Sequence, residues 1–369
     1  MQCSRSSWLA RENAEAYRYD FGDNVPALRE AAKDAVGKVI ELQPNLGEAN
    51  LAEGYFHFYC ERNLDSAIAS FETAQQLAPG NSQILKALAF VWQRKGQWQR
   101  SLEYFQQAKA LDPRDVQLLC SQATLYHGLR QYPAALKLCD QVLEISPGNS
   151  VASAIKAYVY QAEGNLSAAA TLLSSLHLEP DHEDFPLQID QWIYERRFAK
   201  ALAVLKNAID GRDRPLRSWQ REYYNRAFGL LQRFSGDADG ARSTWQRVEN
   251  ELEELSRSTK EDFFRTYVLA FAYAALGDET KALTTLERAE AVERRKGDPV
   301  RLALFVEMRA EIAAIAGDNN LALDELAISA QQPNGTTYGD LKFNPLWDPL
   351  RGDPRFEKIV NSLAPKDRH

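Results

Sequence analysis

Apolar residues recur along this chain at helical spacing, in units of nearly fixed length. Leu85, Leu88 and Trp92 form one stripe, Leu119, Ala123 and Tyr126 another, and a short polar turn follows each. A second stripe completes every unit, built from a small residue, an apolar residue four on and another three later. Ala67/Phe71/Ala74, Ser101/Phe105/Ala108, Ala135/Cys139/Val142 and Ala169/Leu173 follow this pattern. Pro44, Pro79, Pro113, Pro147 and Pro180 close successive units at intervals of 35, 34, 34 and 33 residues. Each unit therefore reads as helix, turn, helix. Proline ends the second helix because it lacks the N–H and restricts the residue before it. Asp112, Asn149 and Ser82 are the expected N-caps. Gly54, Ala89, Ala123 and Ala157, with Ala67, Ala135 and Ala169, leave room where antiparallel helices cross.

These residues resemble the tetratricopeptide repeat, whose unit runs W-x2-L-G-x2-Y…A-x3-F…P. The stretch SQILKALAFVWQRKGQWQRSLEYFQQAKALDP carries Leu85, Leu88, Ala89, Trp92, Ser101, Phe105, Ala108 and Pro113 in the signature places. Beyond residue 180 the closing proline is lost, but Gly236-Asp237, Gly277-Asp278 and Gly317-Asp318 mark further turns. Ala241, Ala282 and Ala322 follow them, and Phe198 and Ala201 point to another unit. The resemblance implies an all-α helix-turn-helix solenoid, a right-handed superhelix of about nine repeats over residues 13–333 with C-terminal capping helices. The chain then divides into an N-terminal extension (1–12), regular repeats (13–180), degenerate repeats (181–333) and a capping segment (334–369), with a charged seam at 209–218. In the capping segment Asp348-Pro349 and Asp353-Pro354 each place an Asp where an N-cap is expected, and Leu346, Trp347, Leu350, Phe356 and Ile359 cover the last repeat. This tail also resembles those closing repeat regions in bacterial signalling proteins that carry a serine/threonine kinase, an adenylate cyclase or a winged-helix regulator.

Composition narrows the function classes. The chain has 369 residues, 15 prolines and 19 glycines, and 44 Lys+Arg against 51 Asp+Glu give a net charge of −7. The acidity is spread without basic stripes, which argues against nucleic acid as partner. No apolar run is long enough for membrane insertion, and the opening residues lack a secretory apolar core, so a cytoplasmic chain is expected. Cys3, Cys60, Cys120 and Cys139 are widely separated and read as reduced structural thiols. Phosphate loops, HExxH, GxSxG and kinase catalytic sequences are absent, so no catalytic residue, cofactor or metal is expected. His177 and His182, among Glu179, Asp181, Glu183 and Asp184, read as a solvated loop.

Surface remains. In the resembled family the first helices of successive units line a concave groove. Projected onto this sequence, that geometry exposes Tyr55, Phe58 and Tyr59, then Lys86, Phe90 and Arg94, then Gln117, Thr124, His127 and Tyr158. Aromatic anchors with a few polar groups to fix register suit a protein or peptide partner. Phe58 and Phe90 fit packing between units equally well. Phe90 stands where the chaperone-tail clamp of the family needs Asn, which argues against that specificity. The later first helices read as mostly Ala, Leu and Phe, which places the groove in the N-terminal half. Two functions follow: a scaffold or sensor array recruiting a protein, and a regulatory region of a larger kinase or cyclase.

Overall fold

In the computed structural model residues 25–42, 46–211, 216–258 and 263–365 are described. The extension 1–12, Cys3, Trp8, Pro44 and the centre of the 209–218 seam lie outside them. Among the described residues there are nineteen α-helices and no strand. After α1 (Val25–Leu42) the helices pair. The pairs are α2 (Gly47–Tyr55, continued by a π-helical turn, Phe56–Glu61) with α3 (Leu64–Leu77), α4 (Ser82–Arg94) with α5 (Trp98–Leu111), α6 (Val116–Gly128) with α7 (Tyr132–Ile145), and α8 (Ser150–Glu163) with α9 (Leu166–Leu176). Then follow α10 (Phe185–Tyr194) with α11 (Phe198–Asp210), α12 (Ser218–Phe234) with α13 (Ala238–Ser258), α14 (Phe263–Leu276) with α15 (Glu279–Lys296), and α16 (Pro299–Ala316) with α17 (Asn319–Ser329). The tail forms α18 (Tyr338–Phe343), a 3-10 turn (Pro345–Leu350) and α19 (Pro354–Leu363).

A left-handed residue turns the chain inside every pair. Arg62, Gly96, Arg130, Gly164 and Arg196 hold these positions at intervals of 34, 34, 34 and 32 residues; Gly236, Gly277 and Gly317 follow at 40, 41 and 40. Glycine adopts this conformation freely, whereas arginine pays a steric penalty of roughly 1 kcal/mol. The later pairs are longer because α12, α13, α15 and α16 have 17, 21, 18 and 18 residues, against 13 or 14 in α4 to α8.

The crossing positions are closed to solvent: Ala67, Ala89, Ala123, Ala135, Ala157 and Ala169 are all 0% exposed. At Gly54 an added Cβ would overlap the ring of Phe71. Ser101 keeps the small size but donates its hydroxyl to the Ala89 carbonyl at 2.8 Å, which satisfies a polar group that burial would otherwise penalise.

Three caps differ from the sequence reading. Asn81, not Ser82, caps α4, accepting from the Gln83 amide at 2.9 Å. Asp115 rather than Asp112 accepts from an amide of α6, that of Leu118 at 3.0 Å, because the helix starts three residues later than the proline turn alone indicates. Asn149 caps α8 as expected. In the tail Asp353 caps α19, but Asp348 lies inside the 3-10 turn, which Asn344 caps.

The chain forms two compact units, Met1–Gln122 with Arg294–Val300, and Ala123–Glu293 with Arg301–His369. The core of the first joins Phe56, Ile68, Phe71, Ile84, Leu88 and Val91. In the second, the largest core runs from Trp245 and Phe271 through Phe305 to Leu346, Trp347, Leu350, Phe356 and Ile359. The tail of this unit also returns to its beginning. Helix α18 packs on α8 and α10, and Gly339 lies so close to the Gln161 carbonyl that a Cβ would overlap it. The Arg130 guanidinium donates to the carbonyls of Gln332 at 2.7 Å, Thr336 at 2.8 Å and Ser329 at 3.4 Å. These three bonds use the arginine that stands in the left-handed position. The second unit thus closes on itself, and the first helices of its pairs face a shared interior.

Candidate functional site

In the first unit the expected groove residues are largely engaged within the fold. Tyr55 is 3% exposed, stacked on Tyr59 with centroids 5.8 Å apart and set edge-on to Phe71 at 5.3 Å. It is a core residue. Phe58 packs on Tyr59 at 4.8 Å and Phe90 meets Phe105 edge-on at 5.5 Å, both half-buried. Lys86 is 5% exposed; its ammonium donates to Gln117 Oε1 at 2.8 Å and lies 3.8 Å from Asp115. Arg94 pairs with Asp298. The two cations expected to fix a peptide register therefore already hold internal partners.

The second unit is different. Tyr158 on α8 is 45% exposed, and its hydroxyl has no hydrogen-bond partner among the described residues. Its ring stacks on His127 with centroids 3.9 Å apart. His127 is buried, with Nε2 unpartnered. Burial and the nearby Arg130 push its pKa down to about 4. Thr124 is exposed one turn before it.

The inner faces of the following first helices carry ionisable and phenolic groups. Tyr194 on α10 donates to Asp340 Oδ1 of α18 at 3.1 Å. Tyr223 on α12 donates to Asp190 of α10 at 2.7 Å, and burial raises the Asp190 carboxyl to about 6. Arg226 on α12 donates to Glu311 of α16 at 2.9 Å, and its guanidinium lies 5.5 Å from the Tyr267 ring and 5.2 Å from that of Phe271. Tyr267 on α14 donates to the same Glu311 oxygen. Asp340 also accepts from Trp347 Nε1 at 2.8 Å and Asn344 Nδ2 at 2.9 Å.

Glu307 stands one helical turn before Glu311, on the same face of α16. It has neither a hydrogen bond nor an ion pair among the described residues. Burial, then the charges of Asp340 and Glu311, raise its carboxyl to about 8. The sequence gives a faint sign of this interior: Asp190/Tyr194 and Glu307/Glu311 are ionisable or phenolic pairs four apart on otherwise apolar first helices. These helices read as Ala, Leu and Phe because those residues pack between helices, while the sparse polar positions face inward.

Elsewhere the chemistry is quiet. A cavity of about 520 Å³ beside Arg196, Lys342 and Arg351 is already neutralised, since Asp348 pairs with both arginines. His177 Nδ1 lies 2.9 Å from the Ser175 carbonyl, and His182 Nδ1 accepts from the Asp184 amide. Burial pushes the Cys60 thiol up to about 12 and that of Cys120 to about 11, leaving little reactive thiolate. Among the described residues no helix is long and apolar enough to cross a membrane.

The neutral imidazole of His127 has a measurable consequence. Its folded pKa of about 4 lies below the ordinary value of 6.5, so its contribution is fully present above pH 6.5 and lost as pH falls through 4. Replacing it with Phe keeps an aromatic face for Tyr158 and removes the titration. Between pH 7 and pH 5 the variant should gain about 2 kcal/mol relative to the parent chain. Denaturant unfolding at the two pH values measures it, and an unchanged difference would show that His127 titrates normally.

Residues 127–184 match the model of the tetratricopeptide repeat family. No curated protein sequence matches the chain. Among solved structures, yeast Tom70 aligns over 85% of this chain and 66% of its own, with 16% identity and a TM-score of 0.56. A tetratricopeptide repeat protein from Parabacteroides merdae ATCC 43184 covers 80% of this chain and 98% of its own, at 16% identity and a TM-score of 0.42. YrrB, described as a tetratricopeptide protein with an unusual peptide-binding site, covers 48% of this chain and 91% of its own, at 20% identity and a TM-score of 0.36.

Proposed function

We propose that this chain, an all-α array of tetratricopeptide-type helical pairs, is a non-catalytic scaffold that binds a protein or peptide segment on the inner face of its second unit. One observation carries the reading. First helices of successive pairs turn Tyr158, Tyr194, Tyr223 and Tyr267 toward the same set of half-buried charges, among them Asp190, Glu311 and Asp340. Tyrosine is enriched at binding hot spots because it offers a large rigid surface with a polar end. Tyr158, exposed and with a free hydroxyl, is the entry point. The tail's resemblance to repeat regions of bacterial signalling proteins supports a regulatory assembly as the setting.

Panning the full chain against a displayed library of random twelve-residue peptides supplies a ligand. Tyr158→Ala should weaken the selected peptide tenfold or more, the range of a hot-spot anchor, while Phe90→Ala in the first unit leaves it unchanged. The converse pair of results would move the binding face to the first unit, and no loss in either variant would remove both.

A further inference from the structure

We propose that the interior of the second unit is a receptor for a cationic side chain, the guanidinium or ammonium group of a bound peptide, with Glu307 as its counter-ion beside Tyr158 and Tyr267. The inference rests on the reading of this face as the binding face and assigns it a ligand chemistry.

The charge pattern of the interior is uneven. Four carboxylates, Asp190, Glu307, Glu311 and Asp340, face two guanidinium groups, those of Arg130 and Arg226. Both cations already hold acceptors, although the Nε of each has none. Arg130 donates to three backbone carbonyls and Arg226 to Glu311. Three of the carboxylates are also satisfied: Glu311 by Arg226 and Tyr267, Asp190 by Tyr223, and Asp340 by Tyr194, Asn344 and Trp347. Glu307 alone receives no donor. Glu307 is half-buried, so an entering cation can reach it and meets the one carboxylate of the four that no donor already holds.

Two further features point to the same guest. Tyr158 leaves its hydroxyl free and its ring half-exposed, while the nine-tenths-buried His127 stacks behind it with Nε2 unpartnered. Phenol rings attract a desolvated cation through their quadrupole, as the placement of Arg226 over Tyr267 and Phe271 already illustrates. An anionic guest would instead meet an excess of negative charge.

The groups that set the ionisation of Glu307 come from every surrounding element: Arg130 after α6, Tyr158 on α8, Arg226 on α12, Tyr267 on α14, Glu311 on α16 and Asp340 on α18. With no guest the raised carboxyl is mostly protonated at pH 7. A bound cation favours the carboxylate, so the proton leaves for solvent as the guest enters. Affinity should therefore rise from pH 6 to about 8 and level off above it.

The experiment uses the full chain and the peptides selected above. The selected sequences should be enriched in Lys or Arg, and changing that residue to Gln should weaken binding tenfold or more. Titration calorimetry at pH 7 in two buffers of different ionisation enthalpy should report release of about one proton per peptide. Glu307→Gln, checked for unchanged helicity, should abolish both the preference for the basic peptide over its Gln counterpart and the proton release. Spermidine alone serves as the free-cation arm. If it matches the peptide's affinity and proton release, the guest is a free polyamine and the peptide assignment is overturned. Peptides that bind through Tyr158 but contain no basic residue, or proton release that survives Glu307→Gln, would overturn the cation assignment while leaving the binding face intact. Selection of no peptide would overturn the binding face itself.

Discussion

Replacing Trp347 with alanine should destabilise the second unit by about 3–5 kcal/mol, the range for deleting a buried aromatic. The indole is 1% exposed and belongs to the core with Leu346, Leu350 and Phe356. Its Nε1 also donates to Asp340 Oδ2 at 2.8 Å. Alanine removes both the packed volume and one donor to a carboxylate that Tyr194 and Asn344 also hold. Trp347→Phe separates the two effects, since it keeps most of the volume and should cost about 1–3 kcal/mol for the lost hydrogen bond to a charged acceptor. Helical repeat arrays need not unfold in one step, so the loss should appear as an early helical transition in thermal melts. A melting curve identical to the parent's would show that the tail does not support this core.

Gly339→Ala should cost about 3 kcal/mol, the upper end of the usual overpacking penalty. The added Cβ would overlap the carbonyl oxygen of Gln161 and crowd the amide nitrogen of Gly164, which lies at 3.1 Å. Both are backbone atoms, so no side chain can swing aside. Relief requires α18 to separate from α8, which also pulls Asp340 from Tyr194. Gly80→Ala is the control, because nothing lies within 4 Å of its Cβ position, and it should change stability little. Equal melting temperatures for the two variants would mean that α18 does not close against α8 in solution.

How far the sequence revealed this molecule depends on the distance over which each feature is specified. The crossing alanines and closing prolines are local, and Ala67, Ala89, Ala123 and Ala135 sit fully buried where the repeat pattern places them. The short polar turns between paired helices were legible, but the left-handed conformation at Arg62, Arg130 and Arg196 was not, since arginine does not favour it. For Arg130 and Arg196 the left-handed conformation accompanies side-chain bonds to residues about 150 to 200 positions away. The groove reading selected aromatic and basic residues by repeat position alone. That cannot distinguish Tyr55, which serves the core, from Tyr158, which remains exposed. The interior carboxylates were missed for the same reason: Tyr194 and Asp340 are 146 residues apart and meet only because the tail returns to α8 and α10.

The most direct test of the binding face is a photo-cross-link from the selected peptide. A benzophenone is placed next to its basic residue, the peptide is irradiated on the full chain, and the adducts are mapped by mass spectrometry. Adducts on the inner residues of α8, α10, α12, α14 and α16, with Tyr158 and Tyr267 among them, are the predicted result. Adducts confined to α2 and α4, or to the second helices of the pairs, would contradict it.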